Sequence, residues 1–287
     1  MHRFAEGTEV PIVKTRGEID ALLREWGADG VSWGDDFKGG VVTLRFSLDQ
    51  GVYLLIVMPA NASGWFWHCL ARETGHIGHL YSPGAQRGPW EWLPYALDNG
   101  AFSCWDREQN VFDFTAWSAK EAEWKRLLFW AQSVAIQPMW AIVPDVPGNA
   151  EETIKQWSKY APIVERAHIP LAVAVQDGMD AATVRALSPP PLVVAVGGTT
   201  EWKWQTAEEW CRNFSRVHVL RCNSPTKLPM LEKWGCESCD GTGWNRGNRR
   251  QTSGLEEWAR KHAKPVKSPL WPHVSRKDRT PWQMSLV

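Results

Sequence analysis

The chain has 287 residues, of which 44% are hydrophobic and 22% are charged, a composition typical of a globular protein with one large domain or one domain and a small appendage. No apolar run approaches the roughly 18 residues that span a bilayer, and the opening MHRFAEGTEV lacks the apolar stretch of a signal peptide. These features argue against a membrane-spanning class and predict a cytoplasmic location. The six cysteines are then expected to be reduced thiols.

Charge is unevenly distributed, although the formal net charge is zero. Residues 241–287 contain ten lysines and arginines and three acidic residues, so this segment carries +7 and the rest of the chain −7. A basic segment of this kind predicts a polyanionic partner such as a nucleic acid. A solvated basic tail without a partner is the alternative.

Residues 1–50 are predicted to form a small α/β appendage. EVPIV is typical of a strand, and Thr15 can cap a helix over RGEIDALLREWG, whose Ile19, Leu22 and Trp26 repeat at helical spacing. GVSWGDD and VVTLRFSL predict two further strands. No catalytic residue is expected in this appendage, and its role stays open.

Residues 51–287 are predicted to form an α/β domain in which apolar strands alternate with helices. Eight strands are predicted, at residues 52–59, 76–82, 94–98, 139–145, 171–177, 191–198, 217–222 and 235–240. Near-continuous apolar strands indicate a parallel sheet buried on both faces, and eight of them favour closure into a (β/α)8 TIM-like barrel. An open doubly wound sheet is the alternative, but no Gly-rich phosphate-binding motif follows the first strand.

Three helix starts carry recognisable signals. They are Asn149 with Glu152 as a capping box, Ser224 before Pro225, and Ser253 with Glu256. The segments PGAQRGPWEWL and SCWDREQNVFDF are predicted to be loops beside the active site.

Polar residues and glycines stand at the carboxyl ends of the predicted strands, where the chemistry of a (β/α)8 barrel gathers. They are Asp98, Asp145, Gln176, Asp177, Gly197, Gly198 and Asp240. Any one of them can simply close a turn. Several carboxylates on one rim repel each other unless each has its own proton or partner, so their convergence predicts a catalytic site.

The segment 235–250, GCESCDGTGWNRGNRR, places the carboxylate of Asp240 at a strand end. Glycines and Arg246, Arg249 and Arg250 follow it and are predicted to form a flexible basic loop. A carboxylate beside such a loop suits a nucleophile that faces a phosphate-bearing substrate.

In chain order, LDNGAF, PDVPG, VQDG, VGG and CDG resemble the sequential motifs of the tRNA-guanine transglycosylase family. The likeness is greatest to the smaller phage and bacterial branch, which inserts 7-deazaguanines into DNA. IVMPANASGWFWHCL, HLYSPG and WLPYALDNGAFS strengthen it, and the resemblance covers about residues 52–250. A phage-encoded chain of this kind would act in the host cytoplasm.

The resemblance implies a role for each residue. Asp240 attacks C1′ of a deoxyguanosine and forms a covalent glycosyl-enzyme, while Asp98 is the general acid and base. Asp145 accepts hydrogen bonds from N1–H and the amine of guanine. Gln176 and the backbone N–H groups of Gly197 and Gly198 contact O6 and the substituent at position 7.

Partners follow from the same resemblance. They are DNA and a free 7-deazaguanine base such as the 7-cyano form. Arg246, Arg249 and Arg250 are expected to contact the nucleic-acid backbone. Asp177 and His218 are expected to be supporting or turn residues.

The chain departs from the tRNA enzymes in one respect. Those enzymes bind a structural zinc with three cysteines and a histidine after the nucleophile, whereas this chain has no cysteine beyond Cys239. Cys236 and Cys239 form a pair without two further ligands at zinc-site spacing, and His76 and His79 form another. No metal and no cofactor is therefore expected.

Some of the 20 tryptophans are candidates for stacking on an unpaired base. Five lie near predicted strand ends or loops: Trp65, Trp67, Trp90, Trp92 and Trp244. One or two of the five are expected to contact a base.

Three other functions stay open beside DNA-guanine exchange. One is the same exchange on tRNA, and another is a DNA glycosylase that hydrolyses the glycosyl-enzyme. The third is a non-catalytic nucleic-acid-binding barrel, against which the intact set of carboxylates argues.

Overall fold

A computed structural model of the chain describes residues 28–36, 41–48, 54–59, 64–84, 89–90, 93–106, 108–109, 111–134, 136–247 and 249–263. The chain divides into two compact units, Met1–Gly51 and Val52–Val287. The strand predicted at EVPIV and the helix predicted over RGEIDALLREWG lie outside the described residues.

The first unit contains the two strands predicted from GVSWGDD and VVTLRFSL. Strand β1 (Ala28–Asp36) pairs antiparallel with β2 (Val41–Leu48), and Asp36 lies opposite Val41. β-branched and aromatic residues along both segments favour this extended conformation.

The second unit is a closed barrel of eight parallel strands, which confirms the predicted fold class. The strands are β3 (Leu55–Pro59), β4 (Ile77–Tyr81), β5 (Tyr95–Leu97), β8 (Ala141–Ile142), β9 (Leu171–Val175), β10 (Val193–Val196), β11 (Val217–Val219) and β12 (Ser238–Asp240). The barrel closes where β12 pairs with β3, with Asp240 opposite Val57. Two short strands, β6 (Trp105–Asp106) and β7 (Val111–Phe112), form an antiparallel hairpin outside the barrel.

Alternate side chains of each barrel strand point to opposite sides, and both sets of side chains are buried. One set fills the barrel interior and includes Val57, Ala96 and Ala195. The other set, including Ile56 and Val194, packs under the surrounding helices. The interior is therefore a packed core, and it leaves space for a site only at the strand ends.

Eight α-helices are found among the described residues. They are α1 (Trp65–Thr74), α2 (Phe114–Ser133), α3 (Ala150–Arg166), α4 (Ala181–Arg185), α5 (Thr200–Asn213), α6 (Leu228–Lys233), α7 (Gly243–Arg246) and α8 (Arg249–Lys261). No helix in the described part of the chain is long and apolar enough to cross a membrane.

The helix starts predicted at Asn149 and Ser224 are found, but only Asn149 forms a capping hydrogen bond. Asn149 caps α3 by accepting a hydrogen bond from the N–H of Glu152 at 3.0 Å, but the Glu152 carboxylate accepts from Lys155 instead of returning a bond. Pro225 opens a 3₁₀ turn over Pro225–Lys227 that leads into α6, without a capping bond from the Ser224 side chain.

The segment after Asp240 is helical, so the predicted basic loop and the start predicted at Ser253 are wrong. The short helix α7 begins at Gly243, and α8 begins at Arg249, four residues before Ser253. Glycine and asparagine have low helix propensity, which favoured a loop. Burial of Trp244, Leu255 and Trp258 against the barrel overrides it.

Candidate active site

A cavity of about 460 Å³ opens at the carboxyl ends of the barrel strands. Its lining includes all six residues predicted for catalysis and base binding: Asp98, Asp145, Gln176, Gly197, Gly198 and Asp240. They come from five different strands, and the barrel topology brings them together. A cavity of this size suits a small ligand.

Asp145 lines this cavity and is 8% exposed. Its Oδ1 accepts a hydrogen bond from Asn99 Nδ2 at 2.7 Å, and its Oδ2 accepts from Gln176 Nε2 at 2.8 Å. The pKa of Asp145 is raised to about 6, mainly by burial. The hydrogen bond from Asn99 lowers this pKa, and the charge of Asp98 raises it. Each oxygen retains a second lone pair that can accept from a ligand.

Gln176 connects Asp145 to the backbone around the cavity. Its Oε1 accepts from the N–H of Gly148 at 2.9 Å and of Gly198 at 3.2 Å. The N–H of Gly197 donates to Val175 O at 3.0 Å. Both N–H groups that were predicted to contact a base already donate within the protein, and in this arrangement neither is available to a ligand.

Gly198 is required by the backbone itself. Its φ of 68° lies in the left-handed region, and a Cβ there would collide with the Asp177 carboxylate and with Trp202. The Asp177 side chain accepts from both the N–H and the hydroxyl of Thr199, each at 2.6 Å. Asp177 therefore supports the start of α5, as the sequence predicted for a supporting residue.

Asp98 follows β5 and is half-buried. Burial raises the pKa of Asp98, a hydrogen bond from the Ser82 hydroxyl at 2.9 Å opposes that shift, and the charge of Asp240 raises the pKa again. A raised pKa favours the protonated form, which a general acid needs.

Asp240 is the last residue of β12, and its side chain is 14% exposed. Its Oδ1 accepts from the N–H of Arg221 at 2.8 Å and lies 3.3 Å from His218 Nε2. His218 is fully buried, and its Nδ1 lies 2.9 Å from the Ser238 hydroxyl. His218 therefore supports Asp240 from the adjacent strand β11.

Asn99 and Arg221 are among the cavity residues that sequence reasoning missed. Asn99 directly follows Asp98 in LDNG, and its position beside a candidate acid could have indicated it. Arg221 has a φ of 56°, which is rare for a non-glycine residue. Its guanidinium donates to Gly198 O at 2.7 Å and lies 4.5 Å from the centre of the Phe102 ring. No local sequence pattern indicates such a position.

The three arginines predicted to contact the nucleic-acid backbone lie on α7 and α8 rather than on a loop. Arg246, Arg249 and Arg250 are all exposed, and none of them lines the cavity. On the same helix α8, Glu256 accepts a hydrogen bond from Arg260 at 3.0 Å.

Two of the five candidate stacking tryptophans are buried. Trp67 and Trp244 are 6% and 0% exposed, so their rings belong to the core and cannot stack on a base. Trp90 is half-buried against the core, and Trp65 is 38% exposed. Trp92 lies outside the described residues.

Four of the six cysteines contact one another in two pairs. Cys236 lies beside Cys211, and Cys239 lies beside Cys222. Two thiols fall short of the four ligands of a structural zinc. No group of three or more His, Cys, Asp or Glu side chains able to hold a metal occurs among the described residues.

No protein-family model matches the chain, and no curated protein matches it. Among solved structures, the chain is similar to a mutant tryptophan synthase α-subunit from the hyperthermophile Pyrococcus furiosus, with 10% identity over 74% of this chain and 98% of that one and a TM-score of 0.43. It is also similar to the tryptophan synthase α2β2 complex of the same organism, with 10% identity over 74% and 97% and a TM-score of 0.45.

Proposed function

We propose that the protein is a DNA-guanine transglycosylase, which exchanges guanine in DNA for a 7-deazaguanine base through a covalent glycosyl-enzyme. One observation carries the proposal. Three carboxylates from three strands, Asp98, Asp145 and Asp240, share one cavity but have different hydrogen-bond partners. Different environments for neighbouring carboxyl groups are typical of sites in which one is an acid and another an anion.

The first half-reaction uses Asp240 and Asp98. The Asp240 carboxylate attacks C1′ of the target nucleotide, the C1′–N9 bond breaks, and Asp98 gives its proton to the departing guanine. The raised pKa of Asp98, caused first by burial, supports the role of proton donor. An ester between Asp240 and C1′ is left, together with Asp98 as a carboxylate.

The second half-reaction reverses these steps with a different base. Asp98 removes the N9 proton of the incoming 7-deazaguanine, N9 attacks C1′, and the bond to Asp240 breaks. The exchange consumes no cofactor, because the energy of the original glycosidic bond is held in the ester.

Base selection falls to Asp145. Guanine and its 7-deaza analogues present N1–H and an amine side by side, and both can donate to a carboxylate. Asn99 and Gln176 fix the orientation of that carboxylate. Adenine lacks N1–H and presents an acceptor at N1, so it would lose a hydrogen bond to the charged carboxylate, worth about 1.5–3 kcal/mol, and place two acceptors against each other.

Nucleoside analysis by mass spectrometry tests the proposal. DNA and tRNA are isolated from cells that express the chain and are supplied with a 7-deazaguanine. We expect a 7-deazaguanine nucleoside in DNA that is absent with Asp240→Asn. The modified nucleoside in tRNA alone would assign the tRNA reaction, and abasic DNA without it would assign a glycosylase. Unmodified nucleic acid of both kinds would overturn the proposal.

A further inference from the structure

A second cavity of about 780 Å³ adjoins the first. The two cavities share part of their lining, namely Phe102, Pro147, Gly198, Arg221 and Asn223. The two cavities are therefore neighbours, separated by side chains that line both of them. None of the roles proposed above uses this second space.

The second cavity is basic. Its lining includes Lys203, Lys227 and Arg221 against one carboxylate, that of Asp177, whose two oxygens already accept from Thr199. Lys203 is 2% exposed, and its ammonium donates to the carbonyl of Leu220 at 2.6 Å. The Asp240 carboxylate also acts on this ammonium, whereas Arg221 opposes its charge. An anionic ligand in the second cavity would add to the compensation for the lost hydration of these cations.

Aromatic rings lie among these cations. The Trp204 ring is half-buried, with the ammonium of Lys227 4.8 Å from its centre and that of Lys203 at 5.4 Å. Trp105 and Phe102 line another part of the same cavity. Single-stranded nucleic acids are bound by this combination, since cations meet the phosphates and flat rings stack on the bases.

We propose that this second cavity, the Trp204 groove, binds the nucleotide adjacent to the target on the same strand. Its phosphate lies among Lys203, Lys227 and Arg221, and its base stacks on Trp204 or Trp105. The inference rests on the proposed function, in that the target nucleotide occupies the first cavity. The ligand is a single strand, because a base inside a duplex is not free to stack on a protein ring.

The groove replaces the arginines of α7 and α8 as the surface next to the reacting sugar. It shares residues with the Asp240 cavity, whereas Arg246, Arg249 and Arg250 line neither cavity. Those arginines are left for more distant phosphates of the strand.

Binding of tetrathymidylate at several salt concentrations tests the groove. This probe contains no guanine, so its binding does not depend on base exchange. We expect Lys227→Gln to flatten the slope of log affinity against log salt by about 0.7, the value for one single-strand phosphate contact. We expect Trp204→Leu to weaken binding on the order of tenfold at every salt concentration, with no change in slope.

Lys233→Gln is the matched control. Lys233 is exposed at the carboxyl end of α6, the helix before which Lys227 stands, and α6 runs away from the site towards the start of β12. The substitution removes the same charge and should leave both affinity and slope as in wild type. A parallel series with tetrauridylate shows whether the groove prefers DNA or RNA.

The two proposals fail in different ways. If Lys227→Gln and Trp204→Leu bind tetrathymidylate as Lys233→Gln does, the groove is not a strand-binding site, whatever the exchange assay shows. If binding depends on both residues but wild type exchanges no base in DNA or tRNA, the groove binds single strands and the transglycosylase proposal falls.

Discussion

Asp240 is held by donors from the neighbouring strand rather than by residues of its own loop. The N–H of Arg221 and the imidazole of His218 both belong to β11 or the turn after it. The position of Asp240 therefore does not depend on the segment that leads from it into α7. The proposed mechanism therefore depends on the register of β11 and β12, in which His218 lies opposite Ser238.

Asp240→Asn should retain the fold and lose exchange by at least ~10³-fold, because asparagine can accept the Arg221 bond but cannot form the ester. Denaturing electrophoresis with guanine-containing DNA should show a covalent adduct for wild type only. Asp180→Asn is the control, since Asp180 caps α4 at an exposed position and asparagine caps equally well. An active Asp240→Asn variant would end this mechanism.

Asp145 gives the stability of the protein a distinctive pH dependence. Burial raises its pKa from 3.8 to about 6 in the folded chain, so the folded chain binds this proton more tightly than the unfolded one. That stabilisation is complete below the unfolded pKa and is lost as pH rises through about 6.

Chemical denaturation between pH 3.5 and 7.5 measures this effect. Relative to Asp145→Asn, wild type should lose about 3 kcal/mol of unfolding free energy across that range. The stability difference between wild type and Asp180→Asn should change with pH in the opposite direction. The backbone N–H of Thr183 lowers the pKa of Asp180, so wild type gains stability as the pH rises. A pH-independent difference between wild type and Asp145→Asn would contradict the raised pKa.

At the scale of elements, apolar runs identified every barrel strand but overestimated the length of several. Of the strand predicted at residues 139–145, only Ala141–Ile142 is a strand in the structure, although the N–H of Val143 still donates to Ala172 O at 3.0 Å. Asp145 lies beyond this last bond and lines the cavity. An apolar sequence pattern indicates buried residues and not strand hydrogen bonds. Residues beyond the end of a strand are also buried where other parts of the protein cover them, so the pattern overestimates the length of the strand.

The helix predicted from Ser253 lies within α8, but α7 and the start of α8 at Arg249 were not predicted from local sequence. Their stability comes from tertiary contacts, such as the Arg260–Glu73 ion pair at 2.6 Å between α8 and α1 and the ring contact of Trp258 with His76 at 4.8 Å. The same limit applies to Arg221, whose place in the site depends on a left-handed backbone after β11. Strand-end carboxylates were predictable because barrel topology alone places them on one rim.

Replacing Arg246, Arg249 and Arg250 together with alanine should flatten the salt dependence of long-strand binding by about two units, if each meets one phosphate at about 0.7 units. All sequences should weaken alike, since phosphates carry no sequence information. Affinity for one 20-nucleotide strand at four salt concentrations provides the measurement. An unchanged slope would remove α7 and α8 from the binding surface.

Across the whole molecule, reactivity and stability occupy opposite ends of the barrel. The candidate residues follow the strands, whereas Arg216 pairs with Glu237 through two bonds of 2.7 and 2.8 Å just before β11 and β12. This separation is typical of (β/α)8 barrels. Substitutions at the Arg216 end are expected to act through folding and not through chemistry.

Activity should not require a metal, because no group of three or more His, Cys, Asp or Glu side chains able to hold a metal ion occurs among the described residues. Elemental analysis of the purified full chain should give well under one zinc per protein, and a chelator should leave base exchange intact. A stoichiometric zinc, or activity lost on chelation and restored by zinc, would show that the ligands were misjudged.

Arg221 makes the two cavities energetically dependent on each other. Its N–H holds Asp240, while its guanidinium holds Gly198 and covers Phe102 in the wall that both cavities share. A phosphate that draws the guanidinium away from Gly198 alters the pocket in which the free base sits. Such cooperativity is reciprocal, so a bound strand changes the affinity for the base by the same factor as the base changes the affinity for the strand. In the proposed exchange this coupling acts on the glycosyl-enzyme, because the free base enters the pocket only after the target guanine has left it.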